Sequence, residues 1–128
     1  MRPFRRNLLT LFSVLLFAAL AFAAATRSHW DRIPAKDHAR VNPLAGQPEA
    51  VAAGARIYAD HCADCHRADA LGDGRKRPSL RTEKMRTATD GDIEWFLRQG
   101  DLAHGMPSWS SLPTGQRWQV INYLRSIQ

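Results

Sequence analysis

The sequence predicts an all-α fold, a small helical domain, on three observations. No run of residues alternates apolar and polar side chains as a half-buried strand would. Three stretches carry helix signals instead, at about 49–62, 90–99 and 114–126, joined by loops rich in Gly and Pro. The third observation is Cys62-Ala63-Asp64-Cys65-His66 at the end of the first of these stretches, which contains the only two cysteines of the chain.

The chain opens on a leader at residues 1–25. Arg2, Arg5 and Arg6 form a positive start, and Leu8 to Ala25 is an 18-residue apolar run interrupted only by Thr10 and Ser13. The arginines stay on the cytoplasmic side, which places the remainder outside the inner membrane. Two fates remain open. Ala21-Phe22-Ala23 and Ala23-Ala24-Ala25 offer cleavage sites of a signal peptide, whereas an apolar run of this length just spans a bilayer as a signal anchor. Residues 26–46 turn polar, with Pro34 and Pro43 and no apolar periodicity, and read as a linker in which His29 and His38 are exposed.

The domain proper is expected over residues 47–128. Pro48 opens the first helix, where a missing N–H costs nothing. Gly54 and Tyr58 lie four apart on one of its faces, and a mid-helix glycine suggests the close approach of another helix. Residues 71–80 read as loop throughout. The middle helix is capped by Thr89 or Asp90, presents Ile93, Phe96 and Leu97 as its apolar face, and stops at Gly100. The last helix offers Trp118, Ile121 and Leu124, or Val120, Tyr123 and Leu124, for burial. These 82 residues bury little apolar surface, so a bound group that adds to the core would be structural as well as functional.

The spacing of Cys62, Cys65 and His66 identifies that group. Two thiols one helical turn apart can each add to a vinyl group of one porphyrin, while the next side chain serves the iron as its proximal ligand. A zinc ribbon would need a second Cys/His pair, and none follows. A thioredoxin-like motif would need a βαβ pattern around it. The reading is one covalent haem c. Attachment of this kind takes place after export, in agreement with the leader.

The sixth iron ligand must come from elsewhere. Met106, 40 residues beyond His66, stands between Gly105 and Pro107. Glycine lets the backbone approach the porphyrin and proline stiffens the loop that presents the thioether. His104 is the rival ligand, whereas Met85 reads as core filling or an exposed side chain. A thioether raises the reduction potential relative to two histidines. Iron with both axial positions filled passes electrons. The alternative is a haem enzyme or gas-binding sensor with an open sixth position.

Composition narrows the function further. The formal net charge of +6 falls to +3 from Thr26 onward, with 15 Lys+Arg against 12 Asp+Glu, so nucleic-acid binding is a poor reading. Arg75-Lys76-Arg77 is the one basic cluster suited to docking a partner. No paired carboxylates in a motif, nucleophile with a base, or dinucleotide fingerprint is present, and the chain is not read as an enzyme.

Over residues 47–128 the chain resembles the class I monohaem cytochromes c. The resemblance rests on Cys62-x-x-Cys65-His66, Gly54 with Tyr58, Gly105-Met106-Pro107, and Val120 with Tyr123. It implies the cytochrome c fold, with Gly54 and Tyr58 of the first helix crossing Val120 and Tyr123 of the last. It also implies that the Pro78 carbonyl accepts a hydrogen bond from the proximal His66, and that Leu80 packs on the porphyrin. Asn42-Pro43-Leu44, Asp90 to Phe96 and Gly105 to Ser110 are similar to short cytochromes of bacterial respiratory chains, which serve dehydrogenase or terminal oxidase partners. One departure is Arg67, where the family commonly has glycine after the haem histidine. The implied function is one-electron transfer at the periplasmic side of the inner membrane, anchored by the leader or soluble after export.

Overall fold

The computed structural model describes residues 28–75 and 77–128; the leader and Lys76 lie outside the described residues. The chain divides into two compact units, Met1–Arg32 and Ile33–Gln128. In the first, the described residues form a single 3-10 turn, His29–Arg32, whose Ser28 N–H donates to Asp31 Oδ2 at 3.0 Å. No helix among the described residues is long and apolar enough to cross a membrane.

The second unit is helical. In chain order it contains α1 (Ala35–His38), α2 (Pro48–His61), α3 (Ala63–His66), α4 (Glu83–Thr87), α5 (Asp90–Gln99) and α6 (Thr114–Ser126), with a 3-10 turn at Leu102–His104. Among the described residues no strand forms, and Asp101 and Met106 make an isolated antiparallel bridge. The three long helices fall where the periodicity puts them. Pro48 takes the first position of α2, and Thr89 and Asp92 make a reciprocal capping box at the start of α5. The short α4 lacks an apolar signal of its own; Thr82 caps it and it buries Met85.

The core lies where α2 crosses α6. A Cβ at Gly54 would stand 1.9 Å from the Gln119 carbonyl oxygen, so only glycine admits this approach. One turn on, the Tyr58 and Tyr123 rings meet at 5.1 Å, beside the buried Val120 and Ile121. Trp118 and Leu124 are buried as well, so α6 uses both of the apolar sets open to it.

His29 is half-buried rather than exposed, and the structure differs from the sequence reading at two larger places. The first is the expected linker: from Ile33 the chain belongs to the folded unit, and its first helix, α1, lies against α5. This strap is held by polar groups, which apolar periodicity cannot reveal. The Asp37 carboxylate accepts from Arg98 Nη2 at 2.6 Å, Arg40 pairs with Glu94, and Asn42 Nδ2 donates to Asn122 Oδ1 and to the Trp118 carbonyl, both at 3.2 Å. A Cβ at Gly91 would fall 2.1 Å from the Asp37 carbonyl oxygen, so glycine lets the strap lie on α5. His38 is exposed as expected, yet its Nδ1 donates to Asp92 Oδ1 at 2.9 Å. The second difference is α5 itself, which buries Asp92, Ile93, Glu94, Trp95 and Leu97 and leaves Phe96 half-buried. Sandwiched between the strap and α6, it is covered on two sides, not one.

Candidate functional site

The helix that begins at Pro48 breaks at Cys62 and resumes as α3 for one turn. The Cys62 carbonyl accepts from the N–H groups of Cys65, at 3.2 Å, and His66, at 2.9 Å. That turn sets the Cys65 sulfur and the His66 imidazole three and four residues from Cys62. Both cysteines are free thiols; Cys65 is exposed and Cys62 half-buried. Burial, helped by the neighbouring Cys65, pushes the Cys62 thiol up to about 11.

His66 Nδ1 lies 2.9 Å from the Pro78 carbonyl oxygen. A carbonyl only accepts, so Nδ1 carries the proton and Nε2 keeps a free lone pair. A carbonyl that accepts from one ring nitrogen in this way fixes the tautomer of a metal-binding histidine. Pro78 is brought there by a loop closed on itself: the Leu80 N–H donates to the Ala70 carbonyl at 2.8 Å, and the Gly72 N–H to the His66 carbonyl at 3.1 Å. Leu80 is half-buried, and Gln128 Nε2 donates to its carbonyl at 3.1 Å. Arg75 and Arg77 are exposed, with their N–H groups turned inward to Asp73 Oδ1.

Arg67 occupies the position where glycine is common in the resembled family. Its backbone has φ 66° and ψ 160°, a region almost restricted to glycine. The Tyr58 hydroxyl donates to the Arg67 carbonyl at 2.8 Å, which ties this strained residue to the helix crossing. Burial pushes the Tyr58 hydroxyl well above its ordinary pKa, with smaller contributions from Cys62, Tyr123 and Asp69.

Met106 is half-buried on a second loop, between α5 and α6. Its carbonyl accepts from Asp101 N–H at 2.8 Å and its N–H donates to the Asp101 carbonyl at 3.0 Å. Gly100, at φ +70°, is also a point of close approach, since a Cβ there would stand 2.6 Å from the Pro107 carbonyl carbon. His104 projects into solvent, with Nδ1 donating to Asp101 Oδ2 at 2.8 Å. Trp95 is buried, while Trp109 reaches His61, their rings 5.3 Å apart.

The chemistry of these donors fits a covalent haem. Two unpaired thiols stand within one turn, and the adjacent imidazole has its second nitrogen free. No group of three or more His, Cys, Asp or Glu side chains suited to an ion occurs among the described residues, so a zinc reading of the cysteines has no further ligands. Large apolar side chains also stand exposed on both loops, Leu71 by 49% and Leu102 by 79%, apolar surface of the kind a porphyrin can cover.

Sequence reasoning missed Tyr58 as partner of Arg67, Gly100 as the seat of the Met106 loop, and the buried Glu94–Arg117 pair. The Glu94/Arg98 spacing of four was no pointer to the last, because an i,i+4 pair usually means only an exposed salt bridge.

A family model described as cytochrome c oxidase, cbb3-type, subunit III, matches residues 49–124. No curated protein and no solved structure matches the chain. The chain belongs to this cytochrome c family, and membership implies a covalently held haem c and haem-based electron transfer.

Proposed function

From that membership we infer a carrier of single electrons that uses one haem c, held by thioethers to Cys62 and Cys65 and ligated by His66 and Met106. Bound haem supplies an iron that alternates between ferrous and ferric states. The protein's own residues orient and tune it. The observation that carries the reading is the His66–Pro78 contact, which supports Nε2 of His66 as the metal-facing atom. The Asp101–Met106 bridge supports Met106 as the second residue that would hold the iron, because it fixes the backbone that presents the sulfur. A thioether there favours ferrous iron and raises the potential.

The partners are redox proteins at the outer face of the inner membrane, a dehydrogenase, a terminal oxidase or both; the family description favours an oxidase complex. Residues 1–25 deliver the domain to that compartment, as a cleaved signal or a retained anchor. Acid-organic extraction tests the attachment: haem stays on the denatured polypeptide, and release would overturn it. Ferric protein shows the near-infrared sulfur-to-iron band, and Met106→Ala removes it and opens a carbon monoxide site. A missing band in the wild type, together with a spectrum that changes in His104→Ala but not in Met106→Ala, would assign the ligand to His104. Ready binding of carbon monoxide by the unmodified ferrous protein would favour the open-site alternative.

A further inference from the structure

Glu94 is fully buried and Arg117 is 5% exposed. A buried ion pair is often no more stabilising than well-packed apolar residues, so stability alone is a weak reason to keep one. What this pair touches is more telling. Arg117 Nε donates to Glu94 Oε1 at 2.9 Å, and Nη2 donates to Thr114 Oγ1 at 3.0 Å. Nη1 donates to the Leu112 carbonyl and points at those of Trp109 and Ser110, at 3.5 Å each. Those carbonyls belong to the returning half of the loop that carries Met106. The other oxygen of Glu94 pairs with Arg40 of the strap and, at 3.5 Å, with Arg98.

The loop thus has two separately built ends. Its outgoing end is held by the Asp101–Met106 bridge and the seat at Gly100. Its return is laid over the end of α5, where the Ser108 hydroxyl donates to the Arg98 carbonyl at 2.7 Å and Trp109 N–H donates to the Leu97 carbonyl at 2.8 Å. Arg117 then clamps the carbonyls of Trp109, Ser110 and Leu112. A rigid guanidinium fork spreads five donors over Glu94, Thr114 and the carbonyls at once; lysine has three donors at a single point, and an apolar side chain has none.

We propose that Glu94 and Arg117 are positioning residues for the Met106 loop, and that Arg40 of the strap completes them by holding the second oxygen of Glu94. The inference rests on Met106 as the sixth ligand. The clamp takes slack out of the loop, so the methionine leaves the iron less often.

Cyanide binding to the ferric holoprotein reads that departure, because cyanide enters when the thioether leaves. Arg117→Lys keeps a charge beside Glu94 but loses the fork. Arg40→Gln changes a side chain that is 35% exposed, and serves if the first variant does not fold. Each variant is expected to bind cyanide about tenfold faster, equivalent to about 1.4 kcal/mol. Gly54→Ala, a packing defect at the helix crossing, is the control and stays at the wild-type rate well below its melting temperature. Wild-type rates in the folded arginine variants, or equal acceleration in the control, would overturn the clamp while leaving methionine ligation intact. A wild-type ferric protein with no near-infrared sulfur band would overturn both.

Discussion

Gly54→Ala sets two effects of opposite sign against each other. Adding a methyl group to a mid-helix glycine gains up to ~1 kcal/mol of helix propensity. Here the new Cβ would lie 1.9 Å from the Gln119 carbonyl oxygen and 2.5 Å from its carbon, where ordinary contact begins at 3.4 Å. The obstacle is backbone, which cannot swing aside, so the helices must separate locally by about 1.5 Å. Separation loosens the Tyr58–Tyr123 contact and the seal around Val120 and Ile121. A backbone clash this close belongs at the upper end of the usual ~1–3 kcal/mol for overpacking, so after the propensity gain the net expectation is a loss of about 2 kcal/mol. In a unit of this size that lowers the melting temperature by about 10 °C. Thermal unfolding of the oxidised holoprotein, followed by far-ultraviolet circular dichroism, measures it. Gly115→Ala on α6 is the internal comparison: nothing lies within 4 Å of its Cβ position, and no loss is expected. A Gly54→Ala melting temperature equal to or above wild type would refute the argued crossing.

Three further outcomes follow from the same geometry. Arg67→Gly relieves a backbone strained by about 1–3 kcal/mol, offset by glycine's greater freedom when unfolded, and is expected to stabilise by about 1 kcal/mol in denaturant titrations; a less stable variant contradicts the strain. Tyr58→Phe loses one hydrogen bond, about 0.5–1.5 kcal/mol, because the Arg67 carbonyl keeps the Ala70 N–H as a second donor. Since burial raises the Tyr58 pKa on folding, its protonated form contributes stability that is complete below its ordinary pKa and lost as pH rises through the folded value. The gap between wild type and Tyr58→Phe therefore narrows at high pH, and a gap that widens would reverse the sign. A holoprotein that starts at Gln47 lacks Asp37, Arg40 and Asn42 and is expected to be less stable by about 3 kcal/mol than one that starts at Ile33; equal denaturation midpoints would show that the strap contributes nothing.

The sequence made the three long helices legible because each carries a start signal or an apolar stripe: Pro48 at the first position of α2, the Thr89 capping box before α5, Trp118 to Leu124 along α6. Cys62, Cys65 and His66 were legible for a stronger reason, since the chemistry needs that spacing and little else uses it. The strap was not. Asp37, Arg40 and Asn42 read as solvent-facing until their partners, 54 to 80 residues away, are known. For the same reason Glu94, one residue from Ile93 and Trp95, gave no sign that it is buried with three arginines around it. Arg67 illustrates the reverse case: the missing glycine was visible, but not that the backbone keeps a glycine-like φ regardless.

The strap also imposes an order of events. Its docking site is divided between two helices: Glu94 and Arg98 on α5, Trp118 and Asn122 on α6. Arg40 pairs with Glu94 while its guanidinium lies 5.0 Å from the Trp118 ring centre. No such surface exists until α5 and α6 are side by side. The segment that leaves the ribosome before every helix of the core is therefore the last to find its place. Closing it confines a long chain segment for contacts that reward the cost only once everything else is assembled. By the same logic it is the first part to let go, and its amide hydrogens exchange through an opening that leaves the crossing of α2 and α6 intact.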